Sequence, residues 1–339
     1  MRVCIVGAGA IGGYLGAKLA QAGAELTLIA RGAHLEAILR DGLTVEYNDG
    51  TRDVVRPALA TADMAAAGTH DYVIVAVKAH SLPSLAAPMR ALYGPETAVV
   101  YAQNGIPWWY FLRHGGEHEG RRIEAVDPGG VIAANTEIER VIGCVVYPAA
   151  EILRPGVIRH IEGNRFTLGE PSGERSERAR RLSELMGAAG LRAPVRPDIR
   201  NELWLKLWGN LSFNPISALT RATLDLIITD GGTRALATAM MAEAQQVAEA
   251  LGVRFPVSIE RRIKMAEEIG AHKTSMLQDI EAGRSTEVDA LVGAVAELGR
   301  LTGVPTPHID AIYACVKLLE RVLASGSSKL PEAKTEAKQ

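Results

Sequence analysis

The 339-residue chain is too long for one ordinary core, so about two domains are expected. Its 47% hydrophobic content supports full burial, no apolar run approaches the ~18 residues of a membrane span, and a net charge of −2 with interspersed acids and bases argues against a nucleic-acid surface. Cys4, Cys144 and Cys315 are too scattered for a disulfide framework or a metal site, and the chain runs straight into a strand with no signal-peptide pattern, so a soluble cytoplasmic protein is expected.

Residues 3–6 read as a buried strand, Gly7-Ala8-Gly9-Ala10-Ile11-Gly12 as a G-x-G-x-x-G turn, and residues 14–20 as the helix that follows. In that context the glycines form a dinucleotide fingerprint: Gly7 for the tight turn, Gly9 for approach of backbone amides to a pyrophosphate, Gly12 for close packing of helix on strand. The helix N-terminus adds unpaired N–H groups and a partial positive charge. A second strand over 25–30 ends at Arg31, where an NAD-binding fold places a carboxylate for the ribose hydroxyl. A guanidinium pairs with a 2′-phosphate, so NADP is favoured over NAD, the plain alternative being a solvated loop arginine.

The alternation at 43–47, the Asn48-Asp49-Gly50 turn and Val54-Val55 predict a hairpin laid into the nucleotide domain. Strands over 71–77 and 97–102 deliver Lys78 and Gln103-Asn104-Gly105 to the carboxyl edge, which faces the ligand crevice in doubly wound sheets. Lys78 there either pairs with a cofactor phosphate or is solvated, and Asn104 either meets a ligand or makes an Asn-Gly turn. The aromatic patch 108–111 reads as packing, the glycine- and charge-rich stretch 115–130 as a mobile surface loop, and His160 as structural. Apolar runs over 141–147, 156–160 and 166–169 complete the strand-rich half.

Near residue 170 the composition turns helical, which predicts an α/β Rossmann-type domain over 1–170, an all-α domain over 171–325 and a frayed tail over 326–339. Within the helical part Lys206, Asn210 and Asn214 fall at i, i+4 and i+8 and share one helix face among large apolar residues. A half-buried lysine suits proton donation and two amides suit a small polar substrate, although a polar seam at a domain interface has the same pattern. Ser275 and Thr286 are placed to cap two further helices, and the same groups also suit a carboxylate.

Taken together, Gly-Ala-Gly-Ala-Ile-Gly at 7–12, Arg31, Val77-Lys78, Gln103-Asn104-Gly105, the Lys206/Asn210/Asn214-Pro215 helix, Ser275-Met276-Leu277-Gln278-Asp279 and Thr286-Glu287-Val288-Asp289 resemble the ketopantoate reductases (2-dehydropantoate 2-reductases) over nearly the whole chain. The resemblance implies a Rossmann-type domain and a helical domain with the active site between them, and NADPH-dependent reduction of ketopantoate to pantoate on the way to pantothenate and coenzyme A. It implies Lys206 as proton donor, Asn210, Asn214 and Ser275 as substrate contacts, Asn104 near the nicotinamide and Glu287 holding the cofactor. Arg31 and Lys78 would flank the adenosine 2′-phosphate, and Ala149, six residues past Gly143, would offer a backbone contact to the cofactor. No metal is needed, since the ammonium plays the electrophile's part. His272 replaces an asparagine carried by the best-known members on the substrate side, Leu224 follows Thr223 where another asparagine occurs, and the loop from 108 to 130 is long. A reductase of another branched or aromatic 2-keto acid is therefore the alternative. A non-catalytic NADP-binding regulator is disfavoured by Lys206 and Glu287. The expected partner is a small 2-keto acid, with no nucleic acid or membrane, and a homodimer is left open.

Overall fold

The computed structural model describes residues 1–325, so the expected tail over 326–339 lies outside the described residues. Eleven strands appear among them: β1 (Arg2–Val6), β2 (Glu25–Ile29), β3 (Leu43–Glu46), β4 (Arg52–Val55), β5 (Leu59–Thr61), β6 (His70–Val75), β7 (Tyr93–Tyr101), β8 (Val141–Val146), β9 (Ala149–Arg154), β10 (Val157–Glu162) and β11 (Phe166–Gly169). They build a seven-stranded sheet in the order β11-β8-β7-β6-β1-β2-β5 and a four-stranded sheet in the order β4-β3-β10-β9. The large sheet is parallel except for β11, which runs antiparallel to β8. Its inner strands carry apolar runs rich in Val and Ile because both faces are covered. Helix α1 (Ala10–Gln21) and the nearby α2 (Gly32–Asp41) follow β1 and β2, and the short α3 (Met64–Ala67) and α4 (Leu82–Met89) flank β6.

The expected hairpin over 43–55 forms as β3 and β4, but it is not simply laid onto the nucleotide domain. Thr44, Val45 and Glu46 pair in parallel with Val157, Ile158 and Arg159, so it makes half of the second sheet. The aromatic patch is core: Trp109, Tyr110 and Phe111 are almost fully buried, and the buried Trp204 Nε1–H donates to the Tyr110 hydroxyl at 2.7 Å. The stretch 115–130 is a correction to the sequence reading. Ile123, Val126 and Asp127 are buried, and the Asp127 carboxylate accepts from the amides of Ile132 (2.7 Å) and Ala133 (3.1 Å), so the segment is tied down. His160 is structural as expected, stacked on the Tyr14 ring with centroids 4.3 Å apart. Cys4 and Cys144 are buried, and burial pushes the Cys4 thiol up to about 12.

The remaining helices are α5 (Glu177–Ala188), α6 (Ile199–Thr220), α7 (Leu224–Thr229), α8 (Gly231–Ala250), α9 (Ile259–Glu267), α10 (Ser275–Glu281), α11 (Ala294–Thr302) and α12 (Pro307–Ser325). Strand structure ends at Gly169, yet the chain divides into compact units at Trp204/Leu205, later than residue 170. The reason is packing: Leu182, Leu185 and Met186 of α5 enter the core of the large sheet, and Arg192 and Val195 bridge to Arg165 and Leu168. From Leu205 onward the described residues are helical, with Trp208 Nε1–H donating to the Met241 carbonyl at 2.7 Å. No described helix is long and apolar enough to cross a membrane.

Candidate functional site

In the first unit, five parallel strands lie side by side in the order β8-β7-β6-β1-β2 and end at one carboxyl edge. Each delivers a residue singled out in the sequence: β1 leads to Gly7, β2 to Arg31, β6 to Lys78, β7 to Asn104 and β8 to Ala149. This is the edge at which open α/β sheets take ligands. Gln103 joins two of these ends by donating its amide to the Val77 carbonyl at 3.0 Å.

The glycine turn has three distinct roles. Gly7 adopts φ +95°, and a Cβ there would stand 2.6 Å from Val77 Cγ1. A Cβ on Gly12 would lie 2.1 Å from the Gly7 carbonyl oxygen, whereas one on Gly9 would meet nothing within 4 Å. The space above Gly9 is thus open, next to the start of a twelve-residue helix that has no side-chain cap and no acid in its first turn. The amides of Ala10, Ile11 and Gly12 lie in that first turn and have no intrahelical acceptor. A dinucleotide pyrophosphate fits such a cradle. Gly7 and Ala8 differ from the others, since both amides already donate to the Ile29 carbonyl, at 3.1 and 3.2 Å; they shape the loop rather than offering N–H groups. Arg31 is the exposed N-cap residue of α2, Lys78 and Asn104 are half-buried, and Ala149 begins β9. Among the described residues no group of His, Cys, Asp and Glu is placed to hold a metal ion.

In the second unit, α6 continues through Pro215 to Thr220, so Lys206, Asn210 and Asn214 sit on successive turns as their spacing predicts. Lys206 and Asn210 are half-buried and Asn214 is buried. The Asn214 amide Nδ2 donates to Ser275 Oγ at 3.4 Å, bringing α6 and α10 together. Ser275 was expected as a cap, but Thr274 takes that position, accepting from the Leu277 amide at 3.3 Å. Ser275 is therefore the first helical residue, with an exposed side chain. Thr286 lies just before its helix, its hydroxyl accepting from the Val288 amide at 3.2 Å, and Glu320 fixes it by accepting from its amide (2.9 Å) and hydroxyl (2.7 Å). The half-buried Glu287 follows directly, its carbonyl accepting from the Leu291 amide at 2.9 Å as a π-helical stretch over Asp289–Gly293 begins.

Residues 3–173 match the model of the PanE/ApbA ketopantoate reductases, and residues 198–320 match the model of their C-terminal domain. The chain belongs to the ketopantoate reductase family. A 2-dehydropantoate 2-reductase from Mesorhizobium japonicum is 59% identical over 94% of this chain and 98% of its own length. Among solved structures, a candidate ketopantoate reductase from Ralstonia solanacearum MolK2 is 46% identical, with TM-score 0.90 over 95% of this chain and 98% of that one. A PanE/ApbA family ketopantoate reductase from Ralstonia eutropha JMP134 is 29% identical, with TM-score 0.82 over 96% of this chain and all of its own.

Two of the three departures read from the sequence, His272 and Leu224, meet in space, since the Leu224 amide donates to the His272 carbonyl at 2.9 Å. Two residues escaped sequence reasoning. His34 on α2 bonds the carbonyl of Ala8 inside the glycine turn at 2.8 Å. Arg262 on α9 lies over α6 at Gly209, between Lys206 and Asn210 in sequence; a Cβ on Gly209 would stand 2.2 Å from an Arg262 Nη. The available signal was Gly209 itself, a helix-disfavouring residue within a strongly helical run.

Proposed function

We propose that the protein is an NADPH-dependent 2-dehydropantoate 2-reductase. The observation that carries the reading is the Asn214–Ser275 hydrogen bond, which joins the lysine-asparagine helix to the Ser-Met-Leu-Gln-Asp motif in a chain of this family.

The first unit binds the cofactor. Gly9, Ala10, Ile11 and Gly12 present amides to the pyrophosphate, Gly7 and Ala8 hold the turn that aims them, and Ala149 adds a backbone contact. Arg31 and Lys78 select NADPH over NADH, because a guanidinium and an ammonium reward the extra 2′-phosphate that an NAD-type carboxylate would repel. Asn104 would face the nicotinamide end, and Glu287 would be a further cofactor-holding residue, as the family resemblance implies. When bound there, a nicotinamide would supply the hydride for reduction of the keto carbon.

The second unit binds and protonates the substrate. Ser275 Oγ, with the Asn214 amide behind it, hydrogen-bonds the keto acid's carboxylate, while Asn210 and His272 border the remaining polar groups. Lys206 as the ammonium hydrogen-bonds the ketone oxygen, stabilises the negative charge that develops on it and passes it a proton from Nζ, leaving a 2-hydroxy acid. Holding that donor on a packed helix fixes its geometry before the reaction starts.

The test is NADPH oxidation with ketopantoate beside other 2-keto acids, with Lys206→Ala as the control. Turnover of ketopantoate above the other acids is expected, with a fall of about 10²–10⁴ in the variant. Faster turnover of a different keto acid would reassign the substrate and locate the difference at His272 and Leu224. Undiminished activity in Lys206→Ala would remove that residue from its role.

A further inference from the structure

We propose that His34 is a positioning residue for the dinucleotide loop: its imidazole sets the direction in which the Gly9 amide points, and with it the affinity for a nucleotide pyrophosphate. The inference rests on the dinucleotide reading of the loop and adds a residue from outside the glycine motif.

The geometry fixes the tautomer. The Gly156 amide at the β9–β10 corner donates to His34 Nδ1 at 3.1 Å, so Nδ1 carries a lone pair and the proton belongs on Nε2. Nε2–H then donates to the Ala8 carbonyl at 2.8 Å. Burial favours this neutral ring by lowering the His34 pKa, against the smaller opposing effect of the Ala8 carbonyl. The anchor on the far side is firm, because a Cβ on Gly156 would stand 2.9 Å from Ala37 Cβ, leaving the hairpin corner tight against α2.

Peptide planarity carries the effect onward. The Ala8 carbonyl and the Gly9 N–H belong to one trans peptide group and point to opposite sides of the chain. With the Ala8 amide already donating to Ile29, drawing the Ala8 oxygen toward His34 turns the Gly9 N–H the other way. Among the described residues that N–H makes no hydrogen bond, and the space at Gly9 is open. His34 thus acts on the pyrophosphate site through a backbone group it never leaves.

Two near-isosteres separate the ring's two bonds. In His34→Gln the amide nitrogen reaches the Ala8 carbonyl as Nε2 does, while Gly156 loses its acceptor. In His34→Asn the amide oxygen replaces Nδ1 for Gly156, and the Ala8 carbonyl is released. Each purified variant is titrated with NADPH by calorimetry, and its thermal midpoint is measured without ligand. The expected result is a loss of about tenfold in NADPH affinity for His34→Asn, the worth of one hydrogen bond, and a loss under about threefold for His34→Gln, with similar midpoints. Equal affinities in the two variants, or losses that follow the midpoints, would overturn the inference and leave His34 as a structural residue. Wild-type protein that failed to bind NADPH would overturn the dinucleotide reading itself, and the inference with it.

Discussion

Replacing Gly9 and Gly12 by alanine, one at a time, should separate ligand approach from packing within a single turn. At Gly12 the new Cβ would fall 2.1 Å from the Gly7 carbonyl oxygen, 2.9 Å from Ile5 Cγ2 and 3.0 Å from Ala76 Cβ. The first of these is backbone, so strand and helix must part. Overpacking of that kind costs about 1–3 kcal/mol. For a unit of this size that corresponds to a fall of roughly 2–12 °C in thermal midpoint. At Gly9 the backbone has φ −69°, which alanine adopts freely, and the Cβ meets nothing within 4 Å. Stability should then hold or rise by up to about 1 kcal/mol, because the unfolded chain loses freedom. Binding should fail in the opposite order. The Gly9 methyl occupies the space through which the pyrophosphate reaches the helix amides, and losing one charge-assisted hydrogen bond lowers affinity by roughly 10–100-fold. Calorimetry without ligand and titration with NADPH read the two effects separately. A midpoint for Gly9→Ala as low as for Gly12→Ala, or wild-type NADPH binding by Gly9→Ala, would refute the reasoning.

Arg31→Ala should raise the KM for NADPH by about 10–100-fold and barely change that for NADH, since NADH lacks the 2′-phosphate; steady-state kinetics with both cofactors decide, and equal effects remove Arg31 from that role. Gly209→Ala would place a methyl 2.2 Å from an Arg262 Nη, the flexible end of a side chain, so the helix should gain up to about 1 kcal/mol while the guanidinium withdraws. A lower midpoint in that variant would show that Arg262 cannot move aside, and an unchanged KM for the keto acid would show that its position does not matter to substrate. Desolvation lowers the pKa of both His34 and the buried His70, so as pH falls below about 6.5 the unfolded chain binds protons that the folded one resists. Their contribution is full above that pH and lost below it. The thermal midpoint should therefore drop on acidification in this range, and less so in His70→Gln.

The large sheet was legible because a strand covered on both faces carries a near-continuous apolar run, as residues 3–6 of β1, residues 72–75 of β6 and the whole of β8 do, and as β2 does over 26–29 apart from the buried Thr27. The glycine turn and the Lys206–Asn210–Asn214 stripe were legible for the same reason, each being written in consecutive or helically spaced residues. What was lost depends on partners far along the chain. Strand β9, half-exposed and without an apolar run, becomes a strand only beside β10. Glycines and charges made 115–130 resemble a free loop, while Ile123, Val126 and Asp127 anchor it through contacts no local pattern encodes. Thr274 and Ser275 are adjacent hydroxyl residues of nearly equal capping strength, and only the turn preceding α10 chooses between them. His34 was invisible because both its partners are backbone groups, at Ala8 and Gly156.

The second sheet also sets an order of events during synthesis. β3 leaves the ribosome about 110 residues before β10, its parallel neighbour, an interval of several seconds to some twenty seconds at ordinary elongation rates. Until then only β4 pairs with it, and its other edge offers open backbone donors and acceptors to any passing strand. Slowing the ribosome after β3 has emerged and before β10 does should lengthen that exposure and increase aggregation of the nascent chain, whereas slowing once β10 has emerged should not.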